Sequence, residues 1–410
     1  MEKRQRIIVI GQGYTSRLGV VRSIARSNID CEIFVIVMTR YRKDGKTLNT
    51  KKPIDCYSKY VDQIYYCQSN DTDGLVKLLL TKCIQDNQRP IIISVGDFVT
   101  TVIDSHLKIL QDYFLFSHIH HQQGAIIEWM NKEKQKALAH EVGLNIVESR
   151  SIEVKDGHFS IPSGINYPCF TKTRAYLPGC KQTLMRCDNE EELKVFISDL
   201  GVKFDLTLLV EDYKKIEEEY AVVGFSDGEN VIIPGIIKIL SLAHGNHFGV
   251  ACRGEVMPVD GFEEQVSKFK RFILKVGYVG IFDIDFFYSD DQFYFGEMNL
   301  RMGGSGYVIT KMGVNLPAMF INTMLGQDIS TMQHAVSGNA TFVNERMWVG
   351  DWYQGFINTR DFFMYLKKSD IGFVSDKNDS APGKALYKFL WIMYAKKILK
   401  SLIKKNNNVQ

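Results

Sequence analysis

Short apolar runs alternate with amphipathic helical segments through the first 125 of the 410 residues. The segment between the first two runs predicts a helix from about Ser16 to Ser27. Strands that alternate with helices are typical of a parallel, doubly wound sheet. We therefore predict an α/β domain over residues 1–125, with strands at 7–10, 33–38, 64–66 and 91–95.

The loop after the first of these strands is rich in glycine. Gly11-Gln12-Gly13 begins like a dinucleotide-binding motif, but Ser16 replaces its third glycine and Thr39-Arg40, without an acid, end the second strand. An imperfect glycine motif is a weak signal, so we interpret the loop as a tight turn or a substrate loop. Val95-Gly96-Asp97 ends the fourth strand, where open α/β sheets bind their ligands.

Two acidic residues interrupt an otherwise apolar run further along the chain. Asp283 and Asp285 lie within the run 281–288, and a second apolar run begins at Phe293. Two aromatic-rich runs joined by a short polar segment are typical of a β-hairpin. The sequence therefore predicts a hairpin with its turn at Asp290-Asp291.

The polar side chains of this hairpin are expected on one face. Strand residues alternate between faces, so Asp283 and Asp285 share a face, as do Glu297, Asn299 and Arg301. A turn at 290–291 brings Asp285 and Glu297 to comparable heights. Like charges are costly to bury unless a cation lies between them. Two carboxylates and an amide oxygen are hard ligands that suit Mg²⁺, so the hairpin predicts a magnesium site.

Residues that suit a nucleotide precede the hairpin. A helix is predicted to begin at Lys132, and a later apolar strand ends at Lys172. A lysine ammonium is a compact charge that neutralises phosphate oxygens. A further strand, 207–213, carries Glu211, and the acidic run 217–219 follows it.

Taken in this order, these parts resemble the ATP-grasp superfamily, in which an acid on one strand is followed by Glu-x-Asn-x-Arg on the next. The matching residues are Asp285 and then Glu297 to Arg301. The resemblance covers about residues 1–325 and implies an α/β (α+β ATP-grasp) fold. The implied domains are a Rossmann-like pre-ATP-grasp domain at 1–125, an ATP-grasp domain at 126–330 with lobes at about 126–207 and 208–330, and a helical C-terminal extension at 331–410.

The resemblance also implies a role for each motif residue, with ATP and Mg²⁺ as cofactors and Mn²⁺ as an alternative metal. Glu211 is on the strand whose backbone pairs with adenine, and either Glu218 or Glu219 reaches the ribose, a choice that stays open. The phosphates are assigned to Lys132, Lys172 and the loop residue Lys181, the metal to Asp285, Glu297 and Asn299, and catalysis to Lys172, Arg253 and Arg301.

Within the superfamily the chain is most similar to the carboxylate–amine ligases, including the D-aspartate ligase-like group. D-Alanine–D-alanine ligases carry an arginine two positions before the metal acid, where this chain has Asp283. The implied reaction joins a small-molecule carboxylate to an amine through an acyl phosphate and releases ADP and phosphate. The resemblance suggests a D-amino acid and a cell-wall or capsule precursor as the substrate pair.

Two other functions stay open from the sequence alone. Asp283-x-Asp285 after a Rossmann-like start is similar to the Asp-x-Asp site of a glycosyltransferase, although that function leaves Glu297, Asn299 and Lys172 unexplained. The second alternative is a nucleotide-binding module without catalysis, held at a membrane surface.

Composition limits the location and the partners. Hydrophobic residues are 45% and charged residues 24% of the chain, as in ordinary soluble globular proteins. A net charge of +3 is too small to indicate nucleic-acid binding. The eight cysteines form no Cys-x-x-Cys pair, so we expect neither a zinc site nor disulfides and predict a reducing cytoplasm. The oligomeric state is left open, and a dimer is compatible with the sequence.

A basic segment lies near the end of the sequence. Residues 384–405 contain seven lysines and no acid among many apolar residues, which predicts a basic amphipathic helix. Such a helix packs on the enzyme or lies on an anionic membrane surface, and both stay open. Apolar residues cover more than one face between Phe389 and Tyr394, so we expect 386–395 to pack on the protein and the part from 396 onward to project.

Overall fold

The computed structural model describes residues 4–42, 46–174, 184–201, 205–244 and 249–407, with side chains described as far as residue 395. Strands in these ranges form three sheets, of four, four and ten strands. The predicted nucleotide-loop residue Lys181 lies outside the described residues. The mixed α/β architecture agrees with the predicted fold class.

The first sheet is parallel and is built from the first 94 residues. Its elements and those that follow it are β1 (Gln5–Gly11), α1 (Tyr14–Ala25), β2 (Cys31–Thr39), β3 (Gln63–Gln68), α2 (Thr72–Leu78), β4 (Ile91–Ser94), α3 (Asp97–Ser105) and α4 (Leu107–Leu110). The strand order is β3-β2-β1-β4. Ile8 and Val9 are both fully buried, because α1 covers one face of the sheet while α2 and α3 cover the other. The predicted doubly wound sheet is confirmed.

The second sheet is antiparallel and packs against one helix. The elements from residue 118 to residue 212 are β5 (His118–Ile119), α5 (Ala125–Trp129), α6 (Lys132–Glu141), β6 (Asn145–Ile146), β7 (Ser149–Val154), β8 (Cys169–Thr173), β9 (Met185–Cys187), α7 (Glu190–Gly201) and β10 (Leu206–Asp212). The sheet has the order β7-β10-β8-β9. Leu193 and Ile197 of α7 are fully buried against Ile152 and Leu208 of the sheet. This helix-covered sheet forms a small lobe that carries Lys172 on β8.

The third sheet is the largest and holds the hairpin. The remaining elements are β11 (Glu218–Asp227), β12 (Val231–Ile232), β13 (Ile236–Leu242), β14 (Ala251–Met257), α8 (Glu263–Val276), β15 (Tyr278–Ser289), β16 (Gln292–Asn299), α9 (Gly306–Lys311), α10 (Leu316–Met324), β17 (Ala340–Val343), α11 (Glu345–Gln354), α12 (Thr359–Lys368), β18 (Ile371–Gly372) and α13 (Ser380–Asn407). The order is β18-β17-β14-β13-β11-β15-β16-β6, with β12 beside β11 and β5 beside β15. The hairpin is therefore towards one end of this order, where β11 on one side and the short strand β6 on the other fix its position.

The hairpin turns where the sequence predicts. Asp290 and Asp291 have φ angles of 51° and 58°, and two left-handed residues in succession are typical of a two-residue hairpin turn. A β-bulge follows Asp285, and the strand register then places Asp285 opposite Glu297. The prediction that these two acids lie at comparable heights is confirmed.

Two strands of the large sheet come from the C-terminal extension. β17 pairs with β14 in an antiparallel register that places Val343 opposite Arg253, and β18 extends the sheet in parallel. The sequence predicted a helical extension and missed these strands, because a four-residue apolar run such as 340–343 has no periodicity that separates a strand from a helix. The extension is thus continuous with the sheet that carries the hairpin.

A buried ion pair also fixes the extension to α1. Nε of Arg22 donates to Oδ2 of Asp379 at 2.9 Å, and both side chains are 1% exposed. The same guanidinium donates to the backbone oxygens of Phe373 and Val374. The N-terminal domain and the extension are therefore joined directly.

Among the described side chains of α13, those on one face pack on the protein. Leu386 and Leu390 are buried, and Tyr394 stacks on Trp352 with ring centroids 5.8 Å apart. Residues four apart share one face of a helix. We expected 386–395 to pack on the protein, and in the structure the residues of that face do so. The exposed apolar side chains of α13 are Tyr387, Phe389, Trp391 and Ile392. Across the described ranges, every helix is too short or too polar to cross a membrane.

Candidate active site

The acidic face of the hairpin forms one wall of a cavity of about 470 Å³. Asp283, Asp285, Glu297 and Asn299 line it from β15 and β16. Glu219 lines it from the neighbouring strand β11, two residues before the partner of Asp285. The side chains predicted for the metal therefore converge on one enclosed space.

The carboxylates of this wall are electrostatically strained. Burial, reinforced by the charges of Asp283, Glu297 and Glu219, raises the pKa of Asp285 well above its usual range. Burial raises the pKa of Asp283 to about 7, with Arg301 opposing the rise. Such shifts mean that the ionised carboxylates are not fully compensated by the protein's own charges.

A divalent cation fits this donor set. Oδ1 of Asp283 is buried without a hydrogen-bond partner among the described residues, and the neighbouring Asp285 and Glu297 add further carboxylate oxygens. Within the described ranges, no group of three His, Cys, Asp or Glu side chains is arranged to hold a metal ion, so Asn299 would have to supply the third ligand. Mg²⁺ accepts such a set and takes its other ligands from phosphate and water. The metal ligands stay a prediction.

The two predicted phosphate lysines lie at the edges of the small lobe, each held by a glutamate. Nζ of Lys132 is 2.8 Å from Oε2 of Glu297, and Nζ of Lys172 is 2.7 Å from Oε1 of Glu211. Burial favours a neutral Glu297, but the ammonium of Lys132 outweighs burial and lowers the pKa of that carboxyl. Lys132, which begins α6 after its capping residue Asn131, thus connects α6 with β16 of the hairpin.

A third lysine, not predicted from the sequence, joins this group. Lys136 is buried, forms an ion pair with Glu211 and donates to the backbone oxygen of Val147 at 2.7 Å. Burial lowers the pKa of Lys136 although Glu211 opposes the change. Its spacing of four residues from Lys132 on one helix was the available signal, because such residues share a face.

The structure distinguishes the two glutamates left open for the ribose. Glu219 lines the cavity, and burial raises the pKa of its carboxyl. Glu218 forms an ion pair with Lys238, accepts a hydrogen bond from the hydroxyl of Tyr220 and does not line the cavity. The geometry favours Glu219, and the ribose contact itself stays a prediction.

Arg301 reaches across to the N-terminal domain. Its guanidinium forms an ion pair with Asp97, the first residue of α3, and donates to Oδ1 of Asn299 at 3.3 Å. Burial opposes the charge of Arg301, but Asp97 outweighs burial, so the pKa of the guanidinium is raised further. From the sequence we expected Asp97 near the substrate, because it ends a parallel strand. In the structure Asp97 and Arg301 both line the cavity.

Arg253, the third predicted catalytic residue, has different surroundings. Its guanidinium lies 3.3 Å from the ring centroid of Tyr365 and 5.5 Å from that of Trp348, both in the extension. Arg253 is absent from the described residues that line the cavity. Its contacts give the predicted catalytic role no support, and that role stays a prediction.

The extension contributes cavity residues that the sequence did not indicate. Asn344 and Phe373 line the cavity together with Gly13 and Ser16 of the glycine loop. An asparagine between an apolar run and a helix signals a helix start, and Asn344 does precede α11. Its position at the cavity could not be read from that signal.

Solved structures with a similar fold cover most of the chain. N5-carboxyaminoimidazole synthetase from Staphylococcus aureus, complexed with ADP, is 17% identical with a TM-score of 0.57 and covers 84% of this chain and 83% of its own. Biotin carboxylase from Campylobacter jejuni, in a β-γ-ATP complex, is 16% identical with a TM-score of 0.60, over 83% of this chain and 75% of its own. An L-amino acid ligase from Bacillus licheniformis is 12% identical with a TM-score of 0.58, over 83% and 80%.

Sequence relatives cover a smaller share. The arginine-specific carbamoyl phosphate synthase large chain of Halalkalibacterium halodurans is 24% identical over 215 residues, which is 51% of this chain. The chain spans only about a fifth of the length of the curated relatives it matches, 20% in this case. No family model matches the chain.

These likenesses define the class of fold. The solved structures are ATP-grasp enzymes, and the resemblance that the sequence predicts is confirmed at the level of the fold. This chain has the ATP-grasp fold, and its cavity is lined by the N-terminal domain, the hairpin sheet and the C-terminal extension.

Proposed function

We propose that the protein is an ATP-dependent ligase that joins a carboxylate to an amine through an acyl phosphate and releases ADP and phosphate. The observation that carries the proposal is the ion pair between Lys132 of the small lobe and Glu297 of the hairpin, 2.8 Å long. It joins the lysine proposed for phosphate to the glutamate proposed for the metal, and that glutamate lines the cavity. Phosphoryl transfer needs mainly such positioning and charge neutralisation.

Asp285, Glu297 and Asn299 would hold Mg²⁺, or Mn²⁺ in its place. The ion, when bound, would neutralise charge on the phosphate oxygens. The unpartnered Oδ1 of Asp283 and the raised pKa of Asp285 support a cation here, because an added positive charge would relieve both.

The chain's own residues position the two reactions. Lys132 and Lys172 bind phosphate oxygens, which requires them to exchange their glutamate partners for the nucleotide. A carboxylate oxygen of the substrate bonds to the γ-phosphorus and the bond to the bridging oxygen breaks, so that ADP leaves. Arg301, oriented by Asp97, stabilises the developing negative charge. The amine nitrogen then bonds to the acyl carbon, phosphate leaves, and the nitrogen loses its proton to water.

Glu211 and Glu219 are assigned to the nucleotide in this proposal. Glu211 is at the end of β10 and Glu219 at the start of β11, so both flank the connection between the two lobes. The ATP-grasp fold of the ADP and ATP complexes among the structural neighbours supports a nucleotide at this connection.

Incubation with ATP, Mg²⁺ and pools of L- and D-amino acids tests the proposal. We expect phosphate release that depends on an added carboxylate and amine. Folded protein that releases no phosphate across the whole panel would contradict it. Mass spectrometry of products formed from a cell extract and ATP would then identify the substrates, for which a D-amino acid and a cell-wall or capsule precursor are our first choice.

The comparisons give no support to the two alternatives. Thermal unfolding separates them from the ligase: a glycosyltransferase would be stabilised by UDP-sugars and not by ATP. A module without catalysis would be stabilised by ATP but would release no phosphate with any substrate. The predicted cytoplasmic location and the oligomeric state stay predictions.

We also propose peripheral contact with an anionic membrane surface through α13. Phe389, Trp391 and Ile392 are exposed, Trp391 by 69%, and such residues suit the bilayer interface. The basic segment 384–405 contains seven lysines and no acid. Each lysine near an anionic leaflet contributes ~1 kcal/mol.

A further inference from the structure

Two lysines share one oxygen of Glu211. Nζ of Lys172 lies 2.7 Å from Oε1 of Glu211, and Nζ of Lys136 forms an ion pair with the same Oε1. The side chains of Lys172, Lys136 and Glu211 are only 14%, 7% and 10% exposed. Buried charges are stable when each has a partner, and one carboxylate needs one cation to balance it. One of the two lysines is therefore in excess of what Glu211 requires.

The two lysines are attached to Glu211 from different directions. Lys172 of β8 is opposite Leu209, two residues before Glu211 on β10, so Lys172 and Glu211 are diagonal neighbours on one face of the small-lobe sheet. Lys136 comes from α6 and also donates to the backbone oxygen of Val147 at 2.7 Å. The ammonium of Lys136 is thus held at two points.

The helix that carries Lys136 is itself fixed to the large sheet. The side chain of Gln135 donates to the backbone oxygen of Met298 on β16 at 2.9 Å and accepts from its backbone N–H, also at 2.9 Å. Gln135 and Lys136 are both buried. Lys136 therefore keeps its place beside Glu211 whichever partner Lys172 has.

The charges favour an exchange in which Lys172 leaves and Lys136 stays. The proposed binding of phosphate requires Lys172 to part from Glu211, and a buried carboxylate left without a partner is strongly unfavourable. Burial lowers the pKa of Lys136, Glu211 opposes that change, and the charge of Lys172 adds to it. The two ammonium groups therefore repel each other at Glu211, and the departure of Lys172 would strengthen the pair that Lys136 keeps.

We infer that Lys136 is a positioning residue that remains on Glu211 and thereby frees Lys172 to bind a phosphate of ATP, an inference that rests on the proposed ATP-dependent function. Each phosphate lysine then has a replacement cation for the glutamate it leaves, Mg²⁺ at Glu297 and Lys136 at Glu211. Without the charge of Lys136, Glu211 would hold Lys172 more tightly, and phosphate would have to compete for it. Lys136 acts through Lys172 and does not contact the nucleotide on this assignment.

Binding of the non-hydrolysable analogue AMP-PNP with Mg²⁺ to the full chain, measured by titration calorimetry, tests this role. Lys136→Met should raise the Kd about ten-fold, equivalent to about 1.4 kcal/mol. Adding Glu211→Gln to Lys136→Met should recover most of the lost affinity, because it releases Lys172. Glu211→Gln in the wild type should improve binding far less, since Lys136 already balances Glu211 there.

A matched control comes from the same helix. Lys134 pairs with Glu128 at the surface, where the two side chains are 34% and 61% exposed, so Lys134→Met should keep the wild-type Kd. Lys136→Gln is a second neutral variant that retains N–H donors for Val147, and it replaces Lys136→Met if thermal unfolding shows that the latter has lost its fold.

Three results would overturn the role of Lys136. The first is an unchanged Kd in the neutral variants. The second is an equal gain from Glu211→Gln in both backgrounds, which would indicate additive long-range charge effects. The third is a double variant as weak as Lys136→Met, which would leave Lys136 a structural role only.

The phosphate-release assay separates this role from the ligase proposal. There, Lys136→Met should raise the KM for ATP more than it lowers kcat, because it weakens ATP binding. The expected AMP-PNP pattern in protein that releases no phosphate with any substrate pair would refute the ligase and keep the role of Lys136. Phosphate release with additive Kd effects would do the reverse, and a wild type that binds no AMP-PNP would overturn both.

Discussion

Buried charges have opposite surroundings in two regions of this molecule. Where the extension meets the N-terminal domain, Arg22 and Asp379 are both 1% exposed and fully paired, and Arg17 and Asp55 form a second such pair. At the hairpin wall, carboxylates are gathered together and Asp283 keeps an oxygen without a partner. Paired buried charges belong to the scaffold, while unpaired ones indicate where a ligand binds.

The energetic consequences differ accordingly. Removing one partner from a fully paired buried site leaves an uncompensated charge and destabilises the fold. Removing the charge of Asp285, whose pKa burial and the neighbouring carboxylates raise, relieves repulsion, so it should cost function and not stability. The predictions below test this distinction, beginning with the largest effect.

Glu297→Gln should abolish phosphate release, by at least about a hundred-fold, because it removes a charge from the metal site and the partner of Lys132. The fold should survive with a modest loss of Tm, because Lys132 loses its ion-pair partner and the pKa of Glu297 is lowered in the folded state. The control is Glu264→Gln on the exposed surface of α8, which should keep full activity. Near-normal turnover in Glu297→Gln would show that the metal site is misplaced.

Arg22→Ala should destabilise the protein by about 3–5 kcal/mol, since it leaves Asp379 buried and unpaired. Chemical denaturation measures this effect. Arg186→Ala is the matched control: Arg186 and Asp188 are 50% and 58% exposed in their ion pair, so a much smaller loss is expected. Equal losses in the two variants would remove the distinction between buried and exposed pairing.

The free energy of unfolding should depend on pH with opposite signs through the two regions. Burial raises the pKa of Asp283 to about 7, so the folded state holds a proton that the unfolded state has lost. Without divalent cations, stability should therefore fall as the pH rises from about 4 to about 7. Asp283→Asn should flatten this part of the stability curve. An unchanged slope in the variant would assign the effect to another group.

Acidification should act on the scaffold instead. Burial opposes the charge of Asp376, but hydrogen bonds from Tyr307 and Arg26 outweigh burial and lower the pKa of the carboxyl. A lowered folded pKa gives stability that is present above about pH 4 and is lost as the pH falls further. Asp376→Asn should remove that loss, as measured by urea denaturation across the acid range.

The hairpin wall, with its unpaired charges, was predicted better from the sequence than the paired charges between the N-terminal domain and the extension. Asp285 and Glu297 could be predicted to lie at comparable heights because the hairpin is a single stretch of chain. Their direct pairing also needs the β-bulge after Asp285, since a two-residue turn alone would place Asp285 opposite Gly296. Asn344 could not be placed, because its position depends on β17 pairing with β14, about ninety residues away. Arg22 and Asp379 are separated by 357 residues, and only the assembled fold shows that they meet.

A third kind of charge, unpaired but in water, occurs on α13. Lys384 and Lys388 are exposed beside Phe389 and Trp391, and no burial penalty applies to them. Such charges should contribute little to folding and should act only through an external anionic surface. This is the smallest effect predicted, and it separates surface charge from both buried regions.

Deleting residues 396–410 should leave phosphate release and Tm nearly unchanged and weaken binding to vesicles of phosphatidylcholine mixed with phosphatidylglycerol. Binding of the full chain should fall with added salt and be absent on phosphatidylcholine alone, because lysines near anionic lipid act through screened electrostatics.

Trp391→Ala should weaken the component of vesicle binding that added salt does not remove, since the indole is exposed and enters the interface. Leu390→Ala is the contrasting variant. Because Leu390 packs against the rest of the protein, this substitution should lower the Tm instead. If the deletion unfolds the protein, α13 belongs with the paired scaffold, and the membrane contact is refuted.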